Sequence, residues 1–136
     1  MEPLPATILV LVLMLVMDAV WISTQRDMYG KMVQRVQGSP MVVNMWSVLC
    51  AYLFVVLAFV VLVAGRLLAG DGMTVPWAIG YGALVGLALY GIYNATNAAI
   101  FSGYDIRVAV TDTMWGVLLF SVASGVFAWM VGRRDP

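Results

Sequence analysis

The chain has 136 residues, 63% of them hydrophobic and 10% charged, and its seven basic and seven acidic side chains balance to a net charge of zero. A soluble domain carries about 45–50% apolar and about 25% charged residues, and a chain this short cannot hide such an excess in its interior, so its outer surface must meet lipid. Scattered basic residues exclude a nucleic-acid-binding face, while the absence of His and the single Cys50 exclude an internal disulfide, thiolate or imidazole metal sites, and Ser-His-Asp or Cys-His catalysis.

The first predicted helix covers 4–25. Its apolar run is long enough to span a bilayer, which takes about 20 residues. Pro3 and Pro5 are tolerated in the first turn, where amides lack partners. Glu2 in place of a basic start, and no small-residue cleavage site, read as an uncleaved span rather than a signal peptide. Asp18 interrupts its last third. Residues 25–38 follow, with Met28, Tyr29, Met32, Val33 and Val36 on one side and Arg26, Lys31 and Arg35 opposite. That pattern predicts a short amphipathic helix lying in the headgroup layer.

Ser39-Pro40 is a helix-start signal, and a second span is expected over 41–66. Asn44, Trp46 and Tyr52 lie near its beginning, and Trp46 is a candidate interface anchor. Cys50 reads as a small apolar filler. Arg66 and Ala69-Gly70-Asp71-Gly72 end the span in a short loop. Thr74-Val75-Pro76 opens a third span, 76–99, with Trp77 at its interface. Phe101 to Asp105 makes a turn, with Asp105 as candidate N-cap of a fourth span, 106–131. Arg133 and Arg134 close the chain. The expected fold is all-α: an integral membrane four-helix bundle with the short interfacial helix between helices 1 and 2, in one domain over 1–136, placed in the cell or inner membrane. Short connections make neighbours antiparallel. Gly82 and Gly86 on helix 3, and Ser121 and Gly125 on helix 4, are small-residue pairs that would let these helices approach closely. Basic residues Arg26, Lys31, Arg35 and Arg107 lie on one side and Arg66, Arg133 and Arg134 on the other; the dense first connection tips the orientation toward both termini outside.

Four spans place the end of helix 1, the start of helix 2, the end of helix 3 and the start of helix 4 in the same half of the membrane. Asp18, Asn44, Tyr90, Tyr93, Asn94, Asn97 and Asp112 all fall there. At 1.5 Å per residue, Asp18 lies roughly 12 Å below Arg26 and Asp112 roughly 7 Å below Arg107. Tyr90, Tyr93, Asn94 and Asn97 share one helical face, and each acid has a tryptophan three residues on, as Asp18–Trp21 and Asp112–Trp115. The two D-x-x-W strings read as convergence rather than duplication, because helices 1 and 4 run in opposite directions. Acids at this depth should face the bundle interior or a wet cavity. No basic residue stands at their level, so they are held either by protonation or by Asn, Tyr, Trp and Thr donors. The same residues could also act only as a hydrogen-bonded clasp between helices.

Asp18-x-x-Trp21 with Tyr29 downstream, Tyr93-Asn94-x-Thr96-Asn97, and Asp112-x-x-Trp115-Gly116 together resemble an uncharacterised family of small four-helix membrane proteins, domain of unknown function 2177, found in bacteria and in some algae and their viruses. The resemblance covers nearly the whole chain. It implies the four-helix layout and that these polar residues belong together. Many bacterial members carry Asp where this chain has Asn94, so a mechanism needing ionisation at that position does not transfer here.

The expected function is a one-sided intramembrane polar pocket for an amphipathic small molecule or lipid, formed by Asp18, Trp21, Asn44, Tyr90, Tyr93, Asn94, Asn97, Asp112 and Trp115. Neither cofactor nor metal is expected. The alternatives are an ion, proton or small-solute transport element, which would need a homo-oligomer to widen its conduit; a lipid-modifying enzyme using the two Asp as acid and base; and an accessory subunit of a membrane complex.

Overall fold

A computed structural model describes residues 1–70 and 74–132. Among them four helices are long and apolar enough to cross a membrane: α1 (Pro3–Gln37), α2 (Met45–Ala69), α3 (Val75–Ile100) and α4 (Ile106–Gly132). The anticipated loop residues Asp71 and Gly72, and the closing Arg133 and Arg134, lie outside the described residues.

α1 corrects one expectation. It is a single helix of 35 residues, and no separate interfacial helix follows the first span. Nothing between Ser23 and Gly38 stops it; Gly30 alone costs only about 1 kcal/mol in a helix. The Met28/Tyr29/Met32/Val33 stripe is buried or half-buried within the protein rather than turned to headgroups, with Met32 8% exposed. Gly38, at φ 75°, ends the helix and donates its N–H to Gln34 O, as a left-handed cap requires.

α1 runs antiparallel to α4 along its whole length. At one end the Met1 ammonium donates to Met130 O at 2.8 Å. At the other, Arg35 pairs with Asp105 at 3.3 Å. Gly103, at φ 88°, lies beneath Arg35, and a Cβ there would sit 3.4 Å from Arg35 Cγ. The Asp105 side chain accepts from Arg107 N at 2.9 Å, capping α4.

α2 begins at Met45, four residues later than Ser39-Pro40 suggests. The cap is Asn44, whose side chain accepts from Trp46 N and Ser47 N. Asn44 is therefore spent on its own helix end and is exposed. Within α2, Phe59–Ala64 is π-helical. This widened turn sets Phe59, Val63 and Ala64 inward together, with Leu67 following. Phe59 meets Phe127 edge-on, ring centroids 5.9 Å apart. By contrast, Met45–Ala58 buries no residue. The fully buried residues of α2 all lie in its second half, with Val55 and Ala58 packed against the core from the first.

α3 and α4 make the closest contact, through glycine. A Cβ on Gly82 would overlap Ser124 and the Phe120 carbonyl, and one on Gly86 would overlap the Gly116 backbone. On α4 the receiving positions are Gly116, Ser124 and Gly125. Ser121, expected there, is only half-buried. Around this seam the core is apolar: Val10 and Met14 from α1, Phe59 and Val63 from α2, Ala78 from α3, and Leu119, Phe120 and Phe127 from α4. At the α3 entrance Arg66 lies 5.8 Å from the Trp77 ring centroid, and Trp77 stacks on Tyr81.

Gly86→Ala should destabilise the protein by about 1–3 kcal/mol, because the backbone of α4 cannot yield to the added methyl. Gly80→Ala, on the same helix with nothing within 4 Å, should be neutral or stabilising by up to about 1 kcal/mol. Thermal melting of both variants in one detergent checks the contrast.

Candidate functional site

The polar side chains of the spans join into one network, built around two carboxylates and two indoles. Asp18, half-buried on α1, accepts from Tyr52 OH of α2 at 2.8 Å and from Trp115 Nε1 of α4 at 2.9 Å. Asp112, half-buried on α4, accepts from Tyr29 OH of α1 at 2.5 Å and from Asn94 Nδ2 of α3 at 2.7 Å. Trp21 and Trp115 stack nearly parallel, centroids 4.7 Å apart and planes 3° from coplanar. Their N–H groups part: Trp115 serves Asp18, and Trp21 donates to Tyr29 OH at 3.1 Å, whose proton goes to Asp112. Each acid thus receives two neutral donors from other helices, which is how a carboxyl group is held in a body without a nearby cation.

Asn94 is the connector, 2% exposed. Its amide donates to Asp112 and to Tyr90 O (3.0 Å), while its Oδ1 accepts from Tyr104 OH at 2.8 Å. Tyr104 belongs to the α3–α4 turn, and Asn97 also bonds its hydroxyl. Burial pushes the Tyr104 phenol above its ordinary value, which keeps it a neutral donor. In the same turn the backbone N–H of Arg107, followed by the Arg35 guanidinium, holds Asp105 below the usual carboxylate range.

The residues expected from sequence separate into three groups. Asp18, Trp21, Asn94, Asp112 and Trp115 share the network, with Asn97 joined through Tyr104. Tyr90 and Tyr93 line a cavity of about 350 Å³ between α2 and the α3–α4 pair, together with Ala51, Phe54, Phe120 and Asp112. Tyr93 is 60% exposed and stands at its rim. Asn44 belongs to neither, for the capping reason given above. The two acids also face different spaces. Asp112 lines the cavity, whereas Asp18, under Tyr52, lines a void of about 10 Å³, close to the room of one water. Three donors were not among the expected site residues: Tyr29, Tyr52 and Tyr104. Their signal is that tyrosine is a neutral donor with an apolar body, suited to a buried acid.

Gly116 sets the position of Tyr90. A Cβ there would overlap the Tyr90 ring, so the ring rests directly on the α4 backbone one turn from Asp112.

Taken together, these features define a multi-pass integral membrane protein with four spans, crossed on one side by a hydrogen-bonded polar layer. The chain belongs to the family described as predicted membrane protein (DUF2177), whose profile matches residues 4–130. Comparison with curated proteins and with solved structures gave no match.

Asn94→Leu strips Asp112, Tyr104 and the Tyr90 carbonyl of a partner, and should cost about 3 kcal/mol at roughly 1 kcal/mol per lost bond. Tyr104→Phe should cost about 1 kcal/mol. Unfolding in mixed micelles measures both. For Asp105 the depressed value means its stabilising effect is present above the unfolded carboxylate pKa of about 3.9 and is lost as pH falls through the lower folded value. Hydrogen exchange at the Arg107 amide should therefore accelerate on acidification into that range, beyond the intrinsic pH trend, and Asp105→Asn should remove the extra step.

Proposed function

We propose that this protein binds an amphipathic small molecule or lipid in the lateral cavity between α2 and the α3–α4 pair. The observation that carries the reading is the cavity itself: about 350 Å³ with Asp112 in an otherwise apolar and aromatic lining. Ligand sites are commonly clefts of about 300–1,000 Å³ with a few convergent polar groups in an apolar wall. Each carboxylate oxygen can accept about two hydrogen bonds. Each oxygen of Asp112 accepts one from a protein side chain, which leaves capacity for a ligand head. The apolar part of the ligand would lie against Val55, Ala58 and Leu89. Access is from the bilayer, past the Met45–Ala58 half of α2, which buries no residue.

Ion passage has less support from the geometry. Beyond the tryptophan pair the described core is filled by Met14, Phe59, Leu119, Phe120 and Phe127, so a single chain offers no polar route onward. Acid–base catalysis by an Asp18–Asp112 pair is likewise poorly served, because the two carboxylates adjoin separate spaces.

Ala51→Trp fills the cavity from α2 without replacing any member of the hydrogen-bonded network. Mass spectrometry of amphiphiles retained by the purified protein should show at least one species with wild type that falls about tenfold in Ala51→Trp, at an unchanged melting temperature. The same species in the same amounts from both proteins would defeat the reading.

A further inference from the structure

We infer that the head group taken by this cavity is cationic: a primary or substituted ammonium on a short apolar body. The inference rests on the cavity reading above and narrows its ligand class.

The lining supplies one acidic side chain, Asp112, and three accessible aromatic rings, Phe54, Tyr90 and Tyr93, with neither Lys nor Arg beside them. Asp112 is bonded to neutral donors, Tyr29 and Asn94. The one ion pair among the described residues, Arg35–Asp105, lies at the end of α1, in the turn before α4. An anionic head such as a phosphate or carboxylate would meet a carboxylate in a medium of low dielectric and no compensating cation, where like charges repel strongly. A neutral alcohol could give Asp112 a hydrogen bond but would gain little from the rings. An ammonium gains from both, since a cation beside aromatic faces is attracted by their quadrupoles, more so when desolvated. Choline-type and methylated-amine sites are built from the same two ingredients.

Gly116 and Asn94 hold these ingredients in place. Gly116 lets Tyr90 rest on the α4 backbone, and Asn94 ties Asp112 to α3 through its amide. The volume suits a modest molecule. At about 350 Å³ it lies at the small end of ligand clefts.

Decylammonium, decanol and decanoate share a chain and differ in head charge. The full-length protein in zwitterionic nanodiscs, titrated with each and followed by melting temperature against empty-disc partitioning, should bind decylammonium at least about tenfold more tightly than decanol, with decanoate weakest. Ala51→Trp should abolish all three. Asp112→Asn alone would set two amide donors face to face. The paired exchange Asn94→Asp with Asp112→Asn instead keeps one carboxylate and one amide across the contact while withdrawing the charge from the lining, and it should erase the preference for ammonium. Phe54→Ala, on an exposed position of α2 outside the network, should weaken decylammonium severalfold and decanol little. Equal binding of decanol and decylammonium to wild type, or tighter decanoate, with block by Ala51→Trp, overturns the cationic assignment and leaves the cavity standing. Indifference of all three probes to Ala51→Trp overturns both.

Discussion

The stacked tryptophans are the contact on which the polar layer depends. Trp21 and Trp115 come from antiparallel helices, so with rings 4.7 Å apart their N–H groups reach different partners. One serves Asp18 directly and the other serves Asp112 through Tyr29. A single apolar contact thereby fixes two polar ones, and a shift of α1 along α4 by one turn, about 5.4 Å, would break both bonds that cross the pair, Trp115 to Asp18 and Tyr29 to Asp112. That gives the α1–α4 pairing a register which the surrounding aliphatic side chains could not specify alone. Lipid is as apolar as leucine, so apolar faces in a membrane have little preference among partners.

A second constraint comes from glycine. Gly82 and Gly86 bring α3 against α4 at backbone distance, and that closeness lets the short side chain of Asn94 reach Asp112. α2 has no such seam. Its packing is concentrated after the π-helical stretch, where Phe59, Val63, Ala64 and Leu67 turn inward, and before it Tyr52 makes its hydrogen bond to Asp18. The bundle is tight where α3 and α1 each pack on α4, and loose along the first half of α2. A lateral cavity is the geometric consequence: three helices closed by small residues and a polar layer, with the fourth joined mainly at one end.

Much of this was legible in the residues. The four apolar runs are long and separated by turn chemistry, so the spans follow from length and hydropathy alone. Span parity then places Asp18, Asn94 and Asp112 in one half of the bilayer, and the network joins them. What the sequence hid has physical reasons. The amphipathic stripe after residue 25 is the same pattern whether a helix lies on headgroups or continues along a partner, and only the presence of the α3–α4 turn beside Arg35 decides it. Asn44 and Asn94 are the same residue type near span ends, yet one caps a helix and the other bridges two. Tyr29 stands in the motif with Asp18 and Trp21, but its long reach lets it, eleven residues beyond Asp18, act on the other acid, while nothing in the pattern marked Tyr52 and Tyr104. Two acids with similar sequence surroundings also look like one site until the tryptophan pair is seen to divide them.

That division bears on what a carboxyl group at Asp112 is for. Were its role only to clasp helices, an amide partner and a hydroxyl partner would suffice and the space beyond could be filled with leucine, as it is around Phe59 and Phe127. Instead the network approaches Asp112 from α1 and α3 and leaves the α2 side to the cavity. Asn94 sharpens the point. A carboxylate there would need a shared proton to bond Asp112. The amide bonds it through its own N–H, whatever the protonation of its surroundings, and uses its other N–H and its oxygen on α3 and the turn. With both Asn94 N–H groups engaged, the one carboxyl group lining the cavity is that of Asp112. Asp18 shows the other use of the same residue type, enclosed by Tyr52 and Trp115 beside little more than a water's volume. One acid closes the bundle, and the other closes it while keeping a side open to the bilayer.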